Sequence, residues 1–180
     1  MAIVALYDAN VLYPNTLRDV LIRVAIAGLV QAKWTDEILD EVFQHLKENR
    51  PDLDPARLDR TRALMNGAIR DVLVTGYESR IGRLKLRDSD DRHVVAAAIQ
   101  AKASVIVTSD IKDFPESVLG RYGIVAKRPD AFLLDFCESN AQELHGVIDD
   151  IAHTWGDPAG VVLAALSASA PQTAARLAER

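Results

Sequence analysis

Residues 88–110 read DSDDRHVVAAAIQAKASVIVTSD. Three aspartates open the stretch, an unbroken run of small and β-branched apolar residues follows, and a second apolar run at 104–109 ends on Asp110. The first run has the length of a buried helix reaching about Lys102, with Asp88 or Ser89 as its cap. The second is short and β-branched, the pattern of a strand covered on both faces. A helix that feeds such a strand is half of a βαβ unit, and it implies a parallel sheet.

The same strand signature occurs at 2–7, AIVALY, which ends on Asp8, and YGIVAK at 122–127 is a shorter third candidate. The chain between them has helical spacing. NTLRDVLIRVAIAGLV carries a helix that stops near Gly28, and WTDEILDEVFQHLKENR starts after a Thr35 cap with Asp36 and Glu37 in its first turn. DLDPARLDRTRALMNGAI has Asp54 as cap and Pro55 at the first helical position. The fold class is therefore α/β, with a mostly parallel central sheet between helical layers. In such sheets a ligand sits beyond the carboxyl ends of the strands, near the point where strand order reverses. Asp8 and Asp110 come from distant parts of the chain, yet both are aimed at that rim. After about Cys137 the pattern changes to helices alone, with Leu144, Val147, Ile148, Ile151 and Trp155 on one stripe and Gly156 as a stop. The expected division is a domain over 1–136 and a helical extension over 137–180.

Composition sets the outer bounds. With 49% apolar and 26% charged residues the chain is globular rather than disordered. It has no apolar run long enough to cross a membrane and no basic leader before its first strand. A single cysteine, Cys137, cannot form an internal disulfide, which suits a reducing cytoplasm and a buried thiol. The net charge of −5 argues against a generally basic nucleic-acid binder, but the charge is uneven. Residues 50–92 hold 10 basic and 8 acidic side chains, against 4 and 7 in residues 1–49. The basic residues Arg80, Arg83, Lys85, Arg87 and Arg92 crowd the approach to the aspartate cluster. Charge runs are usually solvated faces, so by themselves they assign nothing. Carboxylates gathered at one rim stay ionised together only if a cation neutralises them, and Mg²⁺ or Mn²⁺ is the natural match for hard oxygen donors.

Four segments, YDANVLYP, WTDEILDEV, DSDDRHVVAAAIQAKASVIVTSDIKDFP and YGIVAKRPDAFL, resemble in that order the successive motifs of a PIN domain, in particular the VapC-like toxins of type II toxin–antitoxin systems. The resemblance covers residues 3–136 and implies a PIN-like three-layer α/β/α fold and a metal-dependent endoribonuclease. Position by position, Asp8 matches the acid after the first PIN strand, Glu41 the glutamate of the second motif, and Asp91 the acid at the start of the third-motif helix. Asp110 and Asp113 match the two acids of the T-x-D/N-x-x-D-F motif, and the likeness does not choose between them as the fourth carboxylate. Asp8, Asp91 and Asp110 are the implied ligands of Mg²⁺ or Mn²⁺. Glu41 would hold a second ion or orient the attacking water, and Asn10 and Thr108 would steady the carboxylates. Arg83, Lys85, Arg87 and Arg92 are weaker candidates for RNA phosphates. The resemblance further implies an RNA substrate, a cognate antitoxin and a homodimer.

The bland alternatives are definite. Glu41 lies off the apolar stripe of its helix, where most glutamates are merely solvated. Asp91 at a helix start is favoured by the helix dipole alone. His93 has no partners spaced for a zinc triad and is expected to pack or to donate to a carboxylate. A haloacid-dehalogenase-like phosphatase also places an aspartate after its first strand, but needs another acid two residues on, where this chain has Asn10. A catalytically degenerate PIN module serving only protein association is the remaining alternative.

Overall fold

The computed structural model describes residues 2–179. Its centre is a sheet of order β2-β1-β3-β4 in which every pairing is parallel, built from β1 (Ile3–Tyr7), β2 (Val30–Lys33), β3 (Val105–Val107) and β4 (Val125–Lys127). The α/β class and the parallel sheet expected from the apolar runs are both present. Strand β2 was not among the expected strands. Its residues VQAK alternate buried and exposed positions and include Gln31 and Lys33, so its one-sided burial reads as the tail of the preceding helix. Gly28, at φ +82°, separates the two by taking a left-handed conformation that residues with a Cβ rarely adopt.

The helices are α1 (Ala9–Leu12), α2 (Asn15–Ile26), α3 (Asp36–Asn49), α4 (Pro55–Ala68), α5 (Glu78–Ile81), α6 (Arg92–Gln100), α7 (Glu116–Leu119), α8 (Pro129–Cys137), α9 (Ala141–Trp155), α10 (Ala159–Leu166) and α11 (Pro171–Ala178). From β1 the chain moves outward to β2, then crosses back past β1 to β3 and continues outward to β4. Right-handed crossovers in opposite directions place α2 on one face and α6 on the other, giving three layers. Tyr7, on β1, shows how tight the α2 side is: its hydroxyl donates to the Leu21 carbonyl at 3.1 Å, and its ring meets Trp34 and, edge-on, Phe132.

Local chemistry sets the helix starts. Thr35 Oγ1 accepts from Ile38 N at 3.0 Å to open α3, and Asp54 Oδ1 accepts from Ala56 N at 3.0 Å to open α4 at Pro55. The third-motif helix differs from expectation. Ser89–Asp91 form one 3₁₀ turn, capped by Asp88 through Asp90 N at 2.9 Å, and α6 begins only at Arg92. Short polar side chains that bond their own backbone compete with a regular helix start, and Asp91 is left at the junction.

The C-terminal helices pack back on the chain. Leu144, Val147, Ile148 and Ile151 of α9 are buried, with α9 against α2 and α11 against α8. Asp130 of α8 fastens α11 by accepting from Gln172 N (3.1 Å), Thr173 N (2.9 Å) and Thr173 Oγ1 (2.8 Å). Cys137 is buried and Trp155 half-buried against the core. No helix among the described residues is long and apolar enough to cross a membrane.

Candidate active site

Strand order reverses between β1 and β3, because the chain leaves β1 toward one edge and β3 toward the other. The diverging connections open a crevice there, at the carboxyl ends of both strands. Tyr7 pairs with Val107 at the last rung, and Asp8 N donates to the Val107 carbonyl at 3.0 Å, so Asp8 and Thr108 leave the sheet side by side. Asp8 is buried, 6% exposed. Its Oδ1 accepts from Ala9 N at 2.8 Å, and its Oδ2 accepts from Thr108 Oγ1 at 2.9 Å and from Asn10 Nδ2 at 3.3 Å.

Asn10 ties the two loops together. Its Oδ1 accepts from Ser109 N at 3.0 Å, which turns Nδ2 toward Asp8, Thr108 Oγ1 (3.2 Å) and Asp110 Oδ2 (3.2 Å). Thr108 Oγ1 in turn accepts from Asp110 N at 3.1 Å. The two residues expected to steady the carboxylates thus both touch them. An amide that donates to Asp8 cannot supply the acid that a phosphatase needs at this position.

The remaining acids arrive from other segments. A cleft of about 360 Å³ is lined by Asp8, Glu41, Asp91, Asp110 and Asp113 together, with no lysine or arginine in its lining. Asp88 and Asp90 are exposed and do not line it. Glu41 reaches the cleft from α3 and is held there by the buried His93, whose Nε2 lies 2.9 Å from Glu41 Oε1. His93 Nδ1 lies 3.6 Å from Glu37 Oε2, too far to bond, and Glu37 accepts from the Tyr77 hydroxyl at 2.9 Å. Burial disfavours the charged imidazole, but the Glu41 hydrogen bond and the charges of Glu37, Glu41 and Asp8 outweigh it and raise its pKa.

Electrostatics records the crowding. Burial raises the Asp8 pKa against the lowering effect of the Thr108 and Ala9 hydrogen bonds, with a further push from Glu41. The Asp91 carboxyl is pushed up to about 6, first by burial and then by the charges of Asp8, Asp113, Asp88 and Glu41.

Comparison with known proteins identifies the family. The family model described as PIN domain matches residues 4–112, from β1 to just beyond Asp110. The chain belongs to the PIN domain family. A curated relative, "Putative ribonuclease VapC50" of Mycobacterium tuberculosis (strain ATCC 25618 / H37Rv), is 40% identical over 89 residues, 48% of this chain and 53% of the relative. The chain thus spans about half the length of the curated relative it matches. No solved structure matches it.

The five acids of this PIN domain offer carboxylate oxygens, the donors a hard divalent cation prefers, with no lysine or arginine in the cleft lining to compete for them. Among the described residues no three such groups already stand close enough to enclose one ion. Asp110 is turned onto Asn10, whose Nδ2 donates to its Oδ2 at 3.2 Å. The basic candidates lie outside the cleft lining. Leu84 and Leu86 are buried while Arg83, Lys85 and Arg87 alternate with them on the exposed side, so this segment forms a basic strip leading to the aspartate cluster. Arg92 is half-buried, with Nε lacking a hydrogen-bond partner, and Arg80 is engaged with Gln100 at the far end of α6. Tyr13, His45 and Asn49 also line the cleft, and sequence reasoning passed them over. The signal for His45 and Asn49 was the four-residue spacing Glu37, Glu41, His45, Asn49, which puts four polar groups along one face of α3.

Proposed function

We propose that this chain is an endoribonuclease dependent on Mg²⁺ or Mn²⁺, and that it acts as the toxin of a toxin–antitoxin pair in the cytoplasm. The observation that carries the reading is the cleft in which five carboxylates from four separate segments of chain meet with no lysine or arginine among them. A bound cation would supply an acidified water and neutralise charge on the leaving oxygen. Asp8, Asp91 and Asp110 are the residues that would hold it. Asn10 and Thr108 fix Asp8 and Asp110 by hydrogen bonds from a rigid strand end. Glu41, oriented by His93, would take the second ion or align the water, and Asp113 lines the same cleft.

The basic strip of Arg83, Lys85 and Arg87, together with Arg92, supplies phosphate contacts that position the RNA beside these acids. RNA as substrate is supported by the relative's name and the family likeness, and an antitoxin partner and a homodimer by the family likeness alone. Residues 1–136 form the nuclease unit in this reading, and 137–180 an extension braced on it through α2 and α8.

Purified wild-type protein, incubated with RNA and Mg²⁺ or Mn²⁺, is expected to cut internally, and EDTA to stop it. Asp8→Asn and Asp91→Asn are expected to abolish cleavage with the circular dichroism spectrum unchanged. Full cleavage by both variants, or cleavage indifferent to EDTA, overturns the assignment. Co-expression with the neighbouring reading frame tests the partner: a toxin elutes as a complex, and elution alone counts against that role.

A further inference from the structure

The acidic cleft continues past its carboxylates along α3. Beyond Glu41 its wall is formed by His45 and Asn49, and facing them stands Tyr13 at the end of α1. Glu41, His45 and Asn49 are spaced by four, so each lies about 6 Å further along one helix face than the last. No lysine or arginine lines this arm, so nothing in it is built to hold a second phosphate. What it offers is an aromatic ring, an imidazole and a carboxamide.

The ring is firmly mounted yet open. Tyr13 N donates to the Ala9 carbonyl at 3.0 Å, and Arg18 donates to the carbonyls of Leu12 and Tyr13 at 3.0 and 3.1 Å. The side chain packs partly on the core and remains half-exposed to the cleft. Asn49 Nδ2 donates to the Tyr13 hydroxyl at 3.2 Å, which sets ring and amide at a fixed distance. An amide has a second N–H and a carbonyl oxygen beyond that bond, a donor–acceptor pair of the kind that meets a base edge.

We infer that Tyr13, His45 and Asn49 form a nucleobase-binding subsite, which takes the base of single-stranded RNA next to the phosphate to be cut. Tyr13 is the stacking platform, and Asn49 and His45 bond the base edge. This rests on the nuclease reading for its placement beside the reacting phosphate. Sequence-selective RNA recognition characteristically stacks an unpaired base on an aromatic ring and hydrogen-bonds its edge. The subsite therefore makes the arm along α3 the reader, while the basic strip serves as the positioner.

The test is equilibrium binding of short fluorescent single-stranded RNAs to the full-length Asp8→Asn protein, which keeps the cleft but should not cut. In a series with one abasic nucleotide moved along the strand, one position is expected to bind about tenfold or more weakly, the scale of losing a single base stack. That penalty is expected to vanish when Tyr13→Ala, Asn49→Ala or His45→Ala with Asn49→Ala is added. Asn49 and His45 are exposed, so their variants keep the test open if Tyr13→Ala does not fold. Equal binding across the abasic series, a penalty that persists in all these variants, or no RNA binding overturns the subsite. Cleavage by the wild-type protein is scored separately. Cleavage with a flat abasic series overturns the subsite alone; a position-specific penalty without cleavage overturns the nuclease reading and upholds the base site.

Discussion

Asp91→Asn should make the metal-free protein more stable. The Asp91 carboxyl is pushed from 3.8 to about 6 by burial and by the charges of Asp8, Asp113, Asp88 and Glu41. A folded-state pKa above the unfolded one means that the folded state holds more protons between those two values. Stability therefore falls as pH rises through about 4 to 6, and the full cost is present above that window. Two pKa units correspond to about 3 kcal/mol. Asp91 is only partly buried, so solvent screening removes more than half, leaving about 1 kcal/mol. Its side chain makes no capping hydrogen bond to α6, so the amide sacrifices no cap. In EDTA at about pH 7.5 the variant is expected to melt about 2–4 °C above wild type, the shift that 1 kcal/mol produces in a domain of this size. Near pH 4 the difference should vanish. Saturating Mg²⁺ should reverse the order, since a ligand at 100 times its Kd adds about 2.7 kcal/mol to the protein that binds it. Thermal unfolding with and without metal at both pH values measures all three. An Asp91→Asn protein that melts below wild type in EDTA at pH 7.5 refutes the crowding argument, as does an equal gain at pH 4.

Other expected outcomes concern single supports of the site and the fold. His93→Leu removes the 2.9 Å partner of Glu41 and should reduce cleavage or metal affinity about 10- to 100-fold, with His93→Gln recovering part of the loss; a metal titration of activity reads both. Thr35→Ala deletes the cap of α3 at a cost of about 1 kcal/mol, to be measured as a shift in urea midpoint with unchanged slope. Asp130→Ala removes three hydrogen bonds into Gln172 and Thr173, and hydrogen exchange should then show lost protection in α11 while α6 stays protected.

Much of the fold could be read along the chain. The β-branched runs at β1 and β3 identify themselves because strands covered on both faces need no polar alternation. Thr35, Asp54 and Pro55 mark helix starts because they satisfy backbone N–H groups locally. Strand β2 escaped because only its pairing with β1 and its packing, both non-local, separate it from a helix end. The helix after the aspartate cluster began later than its composition suggests, since Asp88 diverts the backbone into a 3₁₀ turn. At the site, the identities of the acids were legible, and the family likeness ordered them.

Sequence by itself determined the fold class, a parallel α/β sheet with aspartates at two strand ends, and the identities of the acids that the proposed chemistry draws on. Only the tertiary structure decided which acids share one cleft, leaving Asp88 and Asp90 outside it and bringing Glu41 in. It also joined Asn10 to Thr108 across 98 positions and set Tyr13 against Asn49. The physical reason is range. Strand, helix and cap propensities act over a few neighbouring residues, whereas a site is assembled by sheet order and helix packing, which bring together residues that no local pattern links.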